Sequence, residues 1–119
     1  MASLVGHILG FSHIIVGAGA IIAPFHTARL FQIVPAASTT FISRAFGSRD
    51  LVFGIGIQLY EPKSPERRTA LLACGVAHAL DVINGVVTYA QGYLPFETML
   101  MAAVIDVTLV GVCWWESGD

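Results

Sequence analysis

Three stretches, residues 4–23, 69–90 and 96–115, are apolar almost throughout, yet two of them carry a carboxylate and two carry histidines well inside the run. Roughly 20 mostly apolar residues, rising 1.5 Å each, cross the ~30 Å of hydrocarbon in a bilayer, so each stretch is long enough to be a spanning helix. The interruptions are His7, Ser12 and His13 in the first, His78, Asp81 and Asn84 in the second, and Glu97 at the edge and Asp106 inside the third. Composition explains why such interruptions matter. Only 12% of the 119 residues are charged and the mean hydropathy is +0.75. A soluble domain carries about 25% charged residues, and the deficit leaves too little polar material to coat a globule in water. The length excludes a multidomain enzyme, and a net charge of −2 supplies no basic field for nucleic-acid phosphates.

Between the first two stretches the best apolar run, residues 51–60, is too short to span alone. Extended back to residue 38 it becomes a span over 38–60 that contains Arg44, Arg49 and Asp50, with Pro35 just ahead and Ser38 or Thr39 as cap. Residues 24–34 are too few and too polar to cross, and they predict an interfacial helix with Phe25, Leu30, Phe31 and Ile33 toward lipid and Arg29 reaching headgroups. The expected architecture is therefore all-α: a four-helix transmembrane bundle in a single domain over residues 1–119, multi-pass and integral to the membrane. Residues 1–10 lack the basic start of a cleavable signal and are expected to stay as part of the first span. The connection Glu61-Pro62-Lys63-Ser64-Pro65-Glu66-Arg67-Arg68 holds three of the six basic residues, which places it and both termini on the cytoplasmic side. Trp114 and Trp115 at one face, and Tyr89 and Tyr93 at the other, suit interfacial belts.

The middles of the four spans fall near His13, at Arg49, near Asp81 and near Asp106, so ionisable groups lie at one depth in all four helices. A charge at the bilayer centre costs about 2.5 kcal/mol or more, and these groups are expected to face and pair with one another. Arg49 is the natural hub because its planar guanidinium can hold two carboxylates at once. Residues three or four apart share a helix face. His78, Asp81 and Asn84 or Gly85 do so in the third span, Asp50, Gly54 and Gln58 in the second, and Met99, Ala102 or Ala103, Asp106, Val110 and Cys113 in the fourth. Counting Arg44 and Arg49 against Asp50, Asp81 and Asp106 leaves one negative charge in excess, so one proton is expected on a carboxyl or shared with His13 or His78.

Cys74 and Cys113 sit in apolar stretches without CxxC spacing, which predicts packing roles and no disulfide framework or zinc knuckle. Gly17-x-Gly19 and Gly54-x-Gly56 do not extend to a dinucleotide fingerprint and are assigned to packing. No metal ligand set and no cofactor is expected. The run Arg44-Ala-Phe-Gly47-Ser-Arg49-Asp50-Leu-Val-Phe-Gly54-Ile-Gly56 resembles the signature of an uncharacterised family of small four-span integral membrane proteins of fungi and bacteria. In that family an R-x-x-G-x-R-D run lies in the second span and an Asp, here Asp81, follows in the third. The resemblance implies the four-span architecture and assigns no reaction. His13, His78 and Asp106 lie outside it.

Two carboxylates bridged by an arginine can divide acid and base roles, because neighbouring charges push their proton affinities apart. By chemical analogy only, this resembles the Asp-Arg-Asp arrangement of limonene-type epoxide hydrolases. The expected function is a membrane enzyme acting on a lipophilic small molecule by epoxide hydrolysis, cyclisation or isomerisation. Asp81, Asp106, Arg49 and Asp50 are its candidate catalytic residues, and His13, Arg44, His78 and Asn84 its candidate substrate contacts. A small-molecule or proton-transport module and a structural subunit are the competing classes. Transport sites usually lie between repeats, and this chain shows none, so a homo-oligomer would have to supply that interface. The charge distribution makes one topological prediction: a Ser64→Cys variant in sealed cells should resist an impermeant maleimide added outside, and ready labelling would reverse the orientation.

Overall fold

The computed structural model describes residues 2–31 and 40–118. All regular structure among them is helical: α1 (Ala2–Ile22), α2 (Pro24–Leu30), α3 (Thr40–Leu59), α4 (Pro65–Ala90) and α5 (Phe96–Gly118). The expected caps at Ser38 and Thr39, Pro35 ahead of them, and the last part of the predicted 24–34 helix lie outside the described residues. Among the described residues three helices are long and apolar enough to cross a membrane: α1 over Leu4–Ile22, α4 and α5. In α3 the charges Arg44, Arg49 and Asp50 fall within seven residues well inside the helix, whereas α4 and α5 each carry one charge, Asp81 or Asp106, away from their ends.

Local chemistry fixes the helix ends. α4 starts at Pro65, ahead of the predicted Thr69, because a proline at the first helical position loses no hydrogen bond and Ser64 caps it, its Oγ accepting from the Arg67 N–H at 3.2 Å. It stops where Gly92 takes a left-handed φ of 81°, letting the Gly92 and Tyr93 N–H groups donate to the carbonyls of Tyr89 and Thr88 at 2.9 and 3.1 Å. At the C-terminus of α1, Pro24 at the first position of α2 turns the chain into a seven-residue helix.

The long helices run antiparallel in sequence. On α1 and α3, Gly17 lies against Gly47 and Leu51 while Gly10 lies against Gln58 and Gly54. On α4 and α5, Gly75 meets Cys113 near one end and Tyr89 meets Phe96 at the other, with ring centroids 5.7 Å apart. The result is two tightly packed pairs, α1 with α3 and α4 with α5, joined to each other by a sparser seam. The first pair depends on missing side chains: a Cβ on Gly17 would fall 2.6 Å from the Gly47 carbonyl oxygen, and one on Gly54 would fall 2.6 Å from that of Gly10. Small residues are the means by which helices approach closely where the solvent is as apolar as the side chains.

The pattern of burial is the reverse of a soluble protein's. Leu4, Ile15, Ile22, Phe41, Val52, Leu59, Val76, Ile83, Val107 and Trp114 are exposed, while His13, Asp50, Arg67, His78 and Glu116 are buried. A small apolar cluster of Leu9, Ile57, Leu71, Cys74 and Cys113 fills the bundle beside these polar groups. Arg67 departs from the expected solvated loop. It lies in the first turn of α4, 3% exposed, with its guanidinium against Gly6 of α1 together with the Glu116 carboxylate, while Lys63 and Arg68 remain outside.

Gly17→Val and Gly54→Val should each force α1 from α3 and cost on the order of 1–3 kcal/mol or more of overpacking, read as a lower unfolding temperature in detergent. Gly85→Ala, where a Cβ meets nothing within 4 Å, should leave that temperature unchanged or raise it.

Candidate functional site

The seam between the two helix pairs is polar. Arg49 of α3 reaches α4 and grips Asp81 with both arms, Nη1 donating to Oδ1 at 3.1 Å and Nη2 to Oδ2 at 2.9 Å. The same guanidinium turns back to its neighbour Asp50, whose Oδ1 accepts from Nη2 at 3.2 Å and from Nε at 3.4 Å. Its face lies over the Phe46 ring, 4.0 Å from the centroid, where the quadrupole of the ring favours a cation. Arg49 thus bridges Asp50 and Asp81, and Asp50 is 4% exposed.

Asp106 of α5 lies outside that bridge and belongs to a histidine chain. Its Oδ1 is 2.8 Å from His78 Nδ1, while Asp81 Oδ2 is 3.9 Å from the same nitrogen. His78 Nε2 lies 2.8 Å from His13 Nε2, and His13 Nδ1 lies 2.9 Å from the Leu9 carbonyl oxygen one turn back on α1. Cys74 Sγ stands 3.3 Å from His13 Nε2. These contacts constrain the protons. A carbonyl only accepts, so His13 Nδ1 carries hydrogen and, in the neutral ring, Nε2 keeps a lone pair. A nitrogen and a carboxylate oxygen at 2.8 Å need a proton between them, so one sits in the His78–Asp106 contact. Neutral His78 supplies that proton itself, and with one guanidinium facing three carboxylates it is a second proton on the His78–Asp106 pair that lowers the excess of negative charge.

Beside this layer lies a cleft of about 240 Å³. Its polar wall is Ser12, His13, Asp50, His78 and Asp106, and the rest is made by apolar side chains such as Val16, Phe46, Ile105 and Leu109. Asp50 and Asp106 therefore approach one cavity from α3 and α5, one oriented by an arginine and the other by a histidine.

Of the residues singled out in the sequence, the structure brings together Arg49, Asp50, Asp81, Asp106, His13 and His78. It does not bring in Arg44, which is exposed and donates from Nε to the Ile21 carbonyl at 3.3 Å, or Asn84, which is exposed on α4. The reason is helical phase: Arg44 is five residues before Arg49 and so on a different face. His7 is occupied elsewhere, its Nδ1 2.6 Å from Gln58 Oε1. Cys74 was placed among packing residues, yet it shares a face of α4 with His78 at the i,i+4 spacing, a signal already in the sequence. No family model, curated protein or solved structure matches the chain.

Removing Arg49 leaves two carboxylates without their counter-ion. Arg49→Ala should cost on the order of 3–5 kcal/mol, with much of the loss recovered when Asp81→Asn is added and little when Asp106→Asn is added. Equal coupling to both carboxylates, measured by a double-mutant cycle in detergent, would contradict the bridge.

Proposed function

We propose that the chain is a multi-pass integral membrane enzyme that performs acid–base chemistry on a lipophilic small molecule drawn from the bilayer. In this reading α1, α3, α4 and α5 all span, and α2 lies at the interface. The inward turn of Asp50 and the exposure of Phe41, Val52, Ile55 and Leu59 support α3 as a span. So does Arg44, which sits near the start of α3 beside the end of α1, within reach of headgroups. The resemblance of the residue 44–56 run to a family of small four-span membrane proteins points the same way.

The observation that carries the enzymatic reading is the pairing of an apolar cleft with two oriented carboxyl groups on its wall. Asp50, fixed by Arg49, is placed to take a proton from water or from an activated C–H, while a second proton carried by the His78–Asp106 pair, on the Asp106 carboxyl, is available to an oxygen or alkene of the ligand. For an epoxide, water adds as Asp50 accepts its proton and the ring oxygen takes the other, so the pair ends with its protons exchanged. An alkene would take the acid proton first and lose one to the base, giving isomerisation or cyclisation without water. Asp81 does not line the cleft, and its role is to hold Arg49.

The continuous contacts from Leu9 through His13 and His78 to Asp106 favour a proton relay as the second reading. The decisive experiment compares small-molecule extracts of cells carrying the wild-type gene, no gene, or the Asp50→Asn or Asp106→Asn variant. A compound consumed only by the wild type, and converted by the purified protein in detergent, supports the enzyme. Each variant should slow conversion by at least about 100-fold, the usual contribution of a general acid or base. Identical extracts, with proton-coupled uptake in vesicles, would replace the enzyme by the relay.

A further inference from the structure

The two buried histidines are oriented by oxygen acceptors on their far nitrogens: the Leu9 carbonyl at His13 Nδ1 and the Asp106 carboxylate at His78 Nδ1. When both acceptors take a hydrogen, each ring presents a bare Nε2 lone pair, and these two lone pairs face each other at 2.8 Å. Two lone pairs at that distance repel unless a proton or a metal ion lies between them. A third donor, Cys74 Sγ, stands 3.3 Å from His13 Nε2, and all three side chains are buried. We propose that His13 Nε2, His78 Nε2 and Cys74 Sγ form an intramembrane zinc site.

The donor set suits the ion. Two imidazoles and a thiolate are borderline-soft ligands that favour Zn²⁺ over Mg²⁺ or Ca²⁺, whose sites are built of oxygen. Histidine ligands almost always donate their other N–H to a carboxylate or a backbone carbonyl, and this chain supplies one of each. Ideal tetrahedral geometry, with Zn–N near 2.0–2.1 Å and Zn–S near 2.3 Å, separates the nitrogens by about 3.4 Å and nitrogen from sulfur by about 3.6 Å. Small rotations of the rings and the thiol by a few tenths of an ångström open the cluster to that size. The cleft touches His13 and His78, so the fourth position is on its side, the arrangement of zinc sites that take an exchangeable ligand.

Electrostatics points in the same direction. Arg49 leaves two of the three carboxylates of the layer uncompensated, and Zn²⁺ together with the Cys74 thiolate adds one net positive charge that offsets part of it. The alternative group His78, Asp81 and Asp106 is weaker, because both oxygens of Asp81 are already taken by Arg49. Zinc on the Nε2 side leaves the Nδ1 contact of His78 with Asp106 in place, so this site and the proposed reaction can fail separately, and its test needs no substrate.

The test uses the full chain purified in detergent. Cobalt(II), the spectroscopic stand-in for zinc, should bind once per chain with tetrahedral d–d bands and a thiolate-to-cobalt charge-transfer band, and zinc should displace it. Cys74→Ser should abolish the charge-transfer band, whereas Cys113→Ser should keep it. Asp106→Asn, which changes no ligand, should weaken zinc binding by about 10- to 100-fold. Zinc-edge X-ray absorption on the unmutated protein keeps the proposal open to refutation if a variant fails to fold: it should show one sulfur near 2.3 Å and imidazole nitrogens. Folded protein that binds no cobalt, a charge-transfer band indifferent to Cys74→Ser, or a zinc shell of nitrogen and oxygen alone would each overturn the site.

Discussion

The bundle depends on Arg49 meeting Asp81 across the seam between α3 and α4. Each tight helix pair can satisfy itself by packing, α1 against α3 through glycine and α4 against α5 through small side chains and an aromatic contact. What joins the pairs is a set of groups that none of these helices can leave unpartnered in an apolar surround. Arg49 with Asp81, and His13 with His78 and Cys74, meet across the seam at mid-length, and they hold because the alternative is a charge or a polar ring without a partner in a low-dielectric interior.

That constraint also accounts for the site. Groups expensive enough to be driven together are the groups able to move protons or bind a cation, so structural and chemical demands fall on the same residues. Arg49 spends its arms on Asp50 and Asp81, which leaves Asp106 to His78 and creates two separate carboxyl environments on either side of one cleft. Had Arg49 bridged Asp81 and Asp106 instead, His78 would have lost its orienting acceptor. His78 would then have no fixed direction for its Nε2 atom, with only His13 still oriented by the Leu9 carbonyl.

The glycine contacts set the geometry on which these distances depend. With Gly17 against Gly47 and Gly10 against Gly54, α1 lies close enough to α3 for His13 to sit beside Asp50 on the cleft wall and to reach His78 on α4. A bulkier interface would separate the helices by more than the few tenths of an ångström that a 2.8 Å contact tolerates. Backbone proximity at one interface thus determines side-chain chemistry at another.

Much of this was legible in the sequence, because helix length, hydropathy and depth along a helix are one-dimensional properties. The lengths of α1, α4 and α5, the common level of His13, Arg49, Asp81 and Asp106, and the choice of Arg49 as hub all follow from counting residues at a fixed rise. Which carboxylate Arg49 chooses, why Asn84 stays outside, why Arg67 is buried beside Gly6, and how Cys74 comes within reach of a histidine 61 positions away do not follow from counting. They depend on the rotation of each helix about its own axis relative to its neighbours. Periodicity defines the faces of a single helix, but only packing between helices, here fixed by glycine at α1 and α3, decides which faces meet.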